Sequence, residues 1–482
     1  MKSFFIVTFW SIVNKFFGLY RVQLTQQLLG ASMEADAFHL AFRMIGFFRN
    51  IFTDGSFYSF FTSYFVENQK EDQNKNFGFA LGVLIIFSSI FIFISILFFL
   101  FPLFLTKVFN MNFIESPKII LMSTYAKYMF PLALSMFLCS VFSAILNSYK
   151  EFFHSSVGLV LGSCCNVFIL YLGLGAKNVF WYFVLGTLSY SFVHAFYMGV
   201  IIYIKYYRPT IPIFQREFFH KISLTGLTQI FNQLMVLLLG VCFVGMKPGG
   251  YSYTRYAESI TYFVFVLVAG NLGSVISPVL SKLKGNKFEF QVVCEKFFSM
   301  TLFLMIFPTV FMFLKSDLIT FAIYKNNSTT NLSIISVAIR YASLGTPFWC
   351  LQRILLTFFT SRGNLTQQNI CTTINNVFTF MATVFLYKYD FLGVIWGMNI
   401  GIIMVVLYLL YTSYKYEVFQ LNMRIVTNIC IKIIVCVFLV KVIFYGNDMG
   451  NILLILFKAS FAYFLYCLIF YKDIKFFLKH EF

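Results

Sequence analysis

Apolar residues dominate this chain in long runs, and polar residues only punctuate them. Stretches such as 79–104, 157–172, 374–386 and 452–470 are too apolar for the surface of a soluble domain. A transmembrane helix needs about 20 such residues, and the pattern resolves into about 14 spans. They are predicted at 3–30, 34–66, 78–106, 122–148, 153–175, 179–205, 217–245, 251–281, 290–314, 333–361, 366–387, 391–414, 424–445 and 449–471. The longest polar interruptions, 67–76 and 315–331, leave no room for an extramembrane domain. The predicted fold class is an all-α polytopic membrane protein.

Landmarks recur at a nearly constant offset along this pattern. Gly55 pairs with Gly270, Pro131 with Pro347, and Asn166-Val167-Phe168 with Asn376-Val377-Phe378. The recurrence predicts two pseudo-symmetric six-helix lobes around a central cavity. The N-lobe covers 1–207 (helices 1–6), the C-lobe 216–416 (helices 7–12), and an extra helix pair follows at 424–471. An even number of spans per half makes the repeats parallel, as in transporters that alternate access between two bundles.

Within the second span the polar positions form a stripe. At 100° per residue Asp36, His39, Arg43, Asn50 and Asp54 fall within roughly 60° of one another, with Arg49 about 120° away. Lys15 and Arg21 lie in the first span, Arg255 and Glu258 in the eighth, and Arg353 in the tenth. Arg255 and Glu258, spaced i, i+3, can pair on one helix face. Ionisable groups at membrane depth are costly and usually face a bundle interior or an aqueous path. Basic members (Lys15, Arg21, Arg43, Arg49, Arg255, Arg353) outnumber acidic ones (Asp36, Asp54, Glu258). An anionic ligand is the simplest neutraliser of that excess. Arginine predominates, which favours forked recognition of phosphate or carboxylate.

The formal charge of +18 fits this picture without a nucleic acid partner, because the basic residues are scattered over loops and not gathered on a soluble face. Lys70, Lys75, Lys150, Lys205, Arg208, Arg216, Lys282, Lys284 and Lys287 flank alternate loops, whereas Lys107, Lys118, Lys177 and Lys247 belong to the opposite set. The positive-inside rule then places both termini in the cytoplasm. No cleavable signal peptide is evident in 1–30, which continues as a long helix containing Lys15 and Arg21. The 10 cysteines sit within apolar spans without metal-like spacing and read as packing residues. The five histidines are dispersed, so no metal or cofactor is expected. No phosphate-binding GxxxxGK[ST] loop occurs, so a built-in ATPase is not expected.

Gly18-Leu19-Tyr20-Arg21, Leu29-Gly30-Ala31, Ala35-Asp36-Ala37-Phe38, Ala41-Phe42-Arg43, Phe48-Arg49 and Asp54-Gly55 together resemble the N-terminal signature of the MurJ/MviN family. These are lipid II flippases of peptidoglycan synthesis, within the multidrug/oligosaccharidyl-lipid/polysaccharide exporter superfamily. Phe130-Pro131, Ile145–Tyr149, Gly226–Gln229, Tyr256-Ala257-Glu258 and Ser277–Ser281 continue the resemblance. It implies 14 helices in two lobes, a cationic central cavity, and a last helix pair that helps form a groove for a long lipid tail. Arg21, Arg43 and Arg49 match the family's cavity arginines, and Asp36 and Asp54 its second-span acids. These residues are expected to engage a lipid-linked pyrophosphate or to gate the cavity. The chain departs from the pattern at Val22, at Ile45 (where the family has a kinking proline), at Asn50 and at Ser259. Met235 and the 375–379 region lack the carboxylates that some members associate with sodium.

The expected function is therefore translocation of the undecaprenyl-pyrophosphate-linked disaccharide-peptide lipid II across the bacterial inner membrane, by alternating access and without catalysis. The expected partners are that lipid and the surrounding membrane lipids, for a monomer working near cell-wall synthesis enzymes. Alternatives are another flippase or a drug/cation antiporter of the superfamily, a non-transporting membrane scaffold, or a polytopic glycosyltransferase. An antiporter for cations would want an acidic cavity. A glycosyltransferase would want a large loop with carboxylates or a catalytic histidine.

Overall fold

A computed structural model describes residues 2–52, 61, 62, 65, 73–110, 116–206, 209–215, 232–270, 272, 276, 280, 283, 286–324, 332–362, 366–418, 423–444 and 452–471. Every regular element among them is helical. In chain order these are α1 (Lys2–Leu29), α2 (Met33–Phe52), α3 (Gln73–Leu100), α4 (Pro102–Phe109), α5 (Pro117–Met129), α6 (Pro131–Ser148), α7 (Phe152–Leu172), α8 (Phe180–Lys205) and α9 (Asn232–Val244). There follow α10 (Gly250–Phe265), α11 (Lys287–Leu314), α12 (Ser316–Tyr324), α13 (Leu332–Ser343), α14 (Thr346–Ser361), α15 (Thr366–Phe385), α16 (Phe391–Lys415), α17 (Met423–Ile443) and α18 (Ile452–Ile469). A π-helical segment, Val266–Gly270, continues α10.

Prolines break several spans that read as continuous in the sequence. Pro131 divides the span predicted at 122–148 into α5 and α6, and Pro347 stands in the first turn of α14 where 333–361 divides into α13 and α14. A proline lacks the N–H that would bond back one turn and crowds the carbonyl there, so it is favoured at a helix start. The same break thus recurs at the offset of the repeat. Pro102 likewise starts α4, and Pro117 starts α5 behind a Ser116 side chain that accepts from the Ile119 N–H at 3.3 Å. Among the described residues seven helical stretches, with α13 and α14 taken together as one, are long and apolar enough to cross a membrane.

The chain divides into two compact units, Met1–Ser252 and Tyr253–Phe482. The first unit takes in α9 and the turn after it, which bind α2 as described below.

In the first unit α1 packs on α7, α2 on α5, and α7 on α8. The α7–α8 pair approaches closely because Gly162 lies under the Tyr190 carbonyl, where any side chain would collide. Asn166 donates to the Gly186 carbonyl at 2.6 Å across the same face. Small residues let helix backbones approach, and that packing replaces the hydrophobic effect as the glue between helices in lipid. The 209–215 segment runs extended over Gly78 and Gly82 of α3. The Ile213 N–H bonds the Gly78 carbonyl at 2.8 Å, and a Cβ on Gly78 would come within 2.6 Å of the Ile211 carbonyl oxygen.

The second unit repeats the close pairing with α15 and α16. Here Gly393, Gly397 and Gly401 of α16 lie against the Leu386 carbonyl, the Thr383 hydroxyl and the Thr379 hydroxyl. α11 is central, with Phe297 and Phe298 packed among Ile354, Phe358, Ile402 and Val405. The C-terminal pair closes on its other end through Phe303, Phe307, Cys436, Val440 and Tyr466. The Tyr466 hydroxyl donates to the Phe303 carbonyl at 3.1 Å, which satisfies the one polar atom that this ring buries.

Candidate functional site

The polar stripe of α2 docks on a neighbour at intervals of seven residues. Positions 36, 43 and 50 are two turns apart and so project from one face. Each meets α9 or the turn that follows it, in antiparallel order.

At one end lies Asp36, with no solvent exposure. Its carboxylate accepts from the Gly249 N–H at 2.9 Å, from the Ser252 N–H at 2.8 Å and from the Ser252 hydroxyl at 2.7 Å. Lys118 of α5, itself 5% exposed, pairs with it at 3.1 Å and donates to the Met246 carbonyl at 2.8 Å. A buried carboxylate is tolerated only when paired and hydrogen-bonded, and Asp36 is both. The turn can come this close because Gly249 has a φ of +84° and lies on the Ala31 carbonyl, leaving no room for a side chain. Two turns along α5 from Lys118, the Tyr125 hydroxyl donates to Glu34 at 2.9 Å, a second tie between α5 and α2.

Arg43 occupies the middle. Its guanidinium donates to the Val236 carbonyl of α9 and lies 4.2 Å from the centre of the Phe243 ring. Phe243 stacks in turn on Tyr251 at 4.7 Å, and both rings are buried. A guanidinium on an aromatic face is attracted to the ring quadrupole, most strongly when water is excluded. At the far end Asn50 donates to the Gln233 side chain at 3.3 Å.

The remaining expected residues are placed as follows. His39 is half-buried beside the Phe38 ring, at 5.3 Å between ring centres. Arg21 and Lys15 are half-buried on α1, with the Arg21 guanidinium 6.0 Å from the Tyr190 ring. The Arg49 side chain and Asp54 lie outside the described residues. In the second unit Arg255 forms an ion pair with Glu258 on one face of α10, and Arg353 is exposed on α14.

Sequence reading missed Lys118, which it counted among loop charges; it is a buried partner of Asp36. A signal was present, since Lys118 and Tyr125 are seven apart behind a Ser-Pro helix start. That spacing puts a cation and a donor on the α5 face that meets two acids. Phe243, Gly249 and Ser252 carried no such mark. Among the described residues the seam is a set of reversible contacts: hydrogen bonds, one buried ion pair and a guanidinium on an aromatic face. Among the described residues no His, Cys, Asp or Glu group has the grouping to hold a metal.

Comparison with known proteins places this geometry in context. The profile of one family, described as lipid II flippase MurJ, matches residues 25–470. A probable lipid II flippase MurJ of Buchnera aphidicola subsp. Schizaphis graminum is 24% identical over 381 residues, covering 75% of this chain and 73% of that protein. One from Rhizobium tropici is 27% identical over 385 residues, covering 75% and 71%. A solved structure of lipid II flippase MurJ in an inward closed conformation superposes with a TM-score of 0.81 at 21% identity, covering 98% of this chain and all (100%) of that one.

Proposed function

The chain belongs to the MurJ family of lipid II flippases, and on that premise we propose that it carries lipid II across the bacterial cytoplasmic membrane by alternating access. It is a multi-pass membrane protein. The observation that carries the mechanism is the α2 seam, in which Arg43 is held by a carbonyl and an aromatic face on α9.

In this reading the seam is a closed gate. Residues 36, 43 and 50 belong to the first lobe (1–207), while α9 and its turn begin the second (216–416). Rocking of one lobe against the other parts them. The pyrophosphate then takes the place of the Val236 carbonyl on Arg43. A hydrogen bond from a guanidinium to an anionic oxygen is roughly twice as strong as one between neutral groups. The substrate therefore binds the open seam better than the closed one, and only such differential affinity can shift the equilibrium. Asp36, with Lys118, Gly249 and Ser252, restores the closed state once the headgroup has left.

Arg21, Arg49, Arg255, Arg353 and Lys15 supply further positive charge for the headgroup. Asp54, Glu258, Asn50 and His39 serve as ion-pair or gating groups. The helix pair at 424–471 lines a groove for the lipid tail. Both termini face the cytoplasm, and the monomer is the working unit, alongside the enzymes of cell-wall synthesis. Translocation breaks no covalent bond, so no catalytic residue is needed.

The test is complementation of a strain depleted of its own lipid II flippase. The wild-type chain sustains growth, and the Arg21→Ala, Arg43→Ala double variant, inserted to the same level, does not. Full rescue by the double variant overturns the role given to these arginines. Failure of the wild-type chain despite correct insertion overturns the substrate.

A further inference from the structure

A second cationic cluster lies away from the seam, on the outer surface of the first unit. The last turn of α3 carries Phe99, α5 carries Lys127 and Tyr128, and the first turn of α8 carries Trp181. The Lys127 ammonium lies 4.5 Å from the centre of the Phe99 ring and 5.4 Å from that of Tyr128. Tyr128 meets Trp181 edge to face at 5.0 Å and Phe99 at 6.4 Å. Phe99 is 53% exposed and Trp181 45% exposed, while Lys127 is half-buried between them.

The cluster holds three hydrogen-bond donors: the Lys127 ammonium, the Tyr128 hydroxyl and the Trp181 indole N–H. Among the described residues none accepts a hydrogen bond from any of the three, and no acid pairs with Lys127. The level of the cluster is set by Phe99 and Trp181, which stand at the ends of two long apolar helices. Tryptophan, tyrosine and lysine collect at that depth because each has an apolar body and a polar tip. An ammonium left facing hydrocarbon is costly, and aromatic faces offset only part of that cost.

We propose that Lys127, Tyr128 and Trp181 form a binding site for the phosphodiester of a membrane phospholipid. One anionic oxygen neutralises Lys127, and the others accept from the phenol and the indole. The acyl chains lie along the exposed faces of α3 and α8, among Ile96, Leu185 and Phe192. On the orientation proposed above this is the outer leaflet. Lipid capture itself does not depend on that orientation or on flippase activity.

The experiment is native mass spectrometry of the detergent-purified full chain as phosphatidylglycerol, phosphatidylethanolamine or diacylglycerol is titrated in, each arm repeated with excess inorganic phosphate. Wild type retains one lipid of either phosphodiester class and does not retain diacylglycerol there. Lys127→Met weakens that retention about tenfold or more, the scale of a lost charge-assisted hydrogen bond. Lys127→Arg keeps it, and Trp181→Phe weakens it less. Equal retention by wild type and Lys127→Met overturns the site, as does undiminished binding of diacylglycerol. Displacement of the lipid by inorganic phosphate alone overturns the assignment to a lipid. Thermal unfolding of each variant, unchanged, shows that the fold is intact. Should Lys127→Met unfold, loss of retention in Trp181→Phe with Tyr128→Phe decides for the proposal, and its absence against it.

Discussion

Replacing Asp36 by asparagine removes one oxygen and one charge from a site where nothing else can substitute for them. The carboxylate accepts from two backbone N–H groups, a hydroxyl and the Lys118 ammonium, all within 3.1 Å. An asparagine offers one oxygen, so its amide nitrogen must face either the Gly249 or the Ser252 N–H, donor against donor. Lys118 stays buried with the Met246 carbonyl as its remaining neighbour. Breaking a buried pair from one side costs about 3–5 kcal/mol, because the other charge is left uncompensated. Lys118→Met, which keeps the aliphatic stem, should cost a similar amount for the mirror reason. The double variant carries no stranded charge and loses only displaced hydrogen bonds, about 1–3 kcal/mol. The expected coupling is therefore at least about 3 kcal/mol. The assay is thermal unfolding of all four proteins in one detergent, followed by intrinsic fluorescence and compared at a common temperature. If the double variant is destabilised by the sum of the single losses, within about 0.5 kcal/mol, the two residues do not act as a unit and the buried pair is refuted as a coupled tie.

Two further outcomes follow from the same physical reasoning. Gly82→Val places a side chain on the Ile213 carbonyl, which belongs to backbone and cannot yield cheaply, so the 209–215 segment should lift from α3. Limited proteolysis should cut between 209 and 215 several-fold faster in the variant, and an unchanged rate would show that the segment is not held there. At the turn before α7, hydrogen bonds from Lys205 at 2.8 Å and Tyr206 at 2.9 Å hold the Glu151 carboxyl below the ordinary carboxylate range. Because the folded value is the lower one, the contribution of Glu151 is complete above the unfolded value of about 4.5 and is lost as pH falls through the folded value. The melting-temperature advantage of wild type over Glu151→Gln should persist down to about pH 4.5 and vanish below it; an advantage that disappears at neutral pH would assign it to another group.

The chain alone determined that this protein is a bundle of membrane helices. Long apolar runs have no other stable form in lipid, because every backbone polar group must find its partner within the segment. It also marked the α2 stripe, since Asp36, Arg43 and Asn50 at heptad spacing share a face wherever that helix is placed. What the face meets was not legible. Residues 236, 243, 249 and 252 lie some two hundred positions away, and their contribution comes partly from groups that every residue has: a Val236 carbonyl, a Gly249 N–H. Backbone donors and acceptors leave no trace in side-chain pattern. Lys118 shows the same limit from the other side. Its charge was visible, yet only tertiary packing could decide between a solvated loop cation and the buried partner of an acid. A lysine near a helix start fits either place, and the difference lies in whether a carboxylate is brought within about 3 Å when α5 folds against α2.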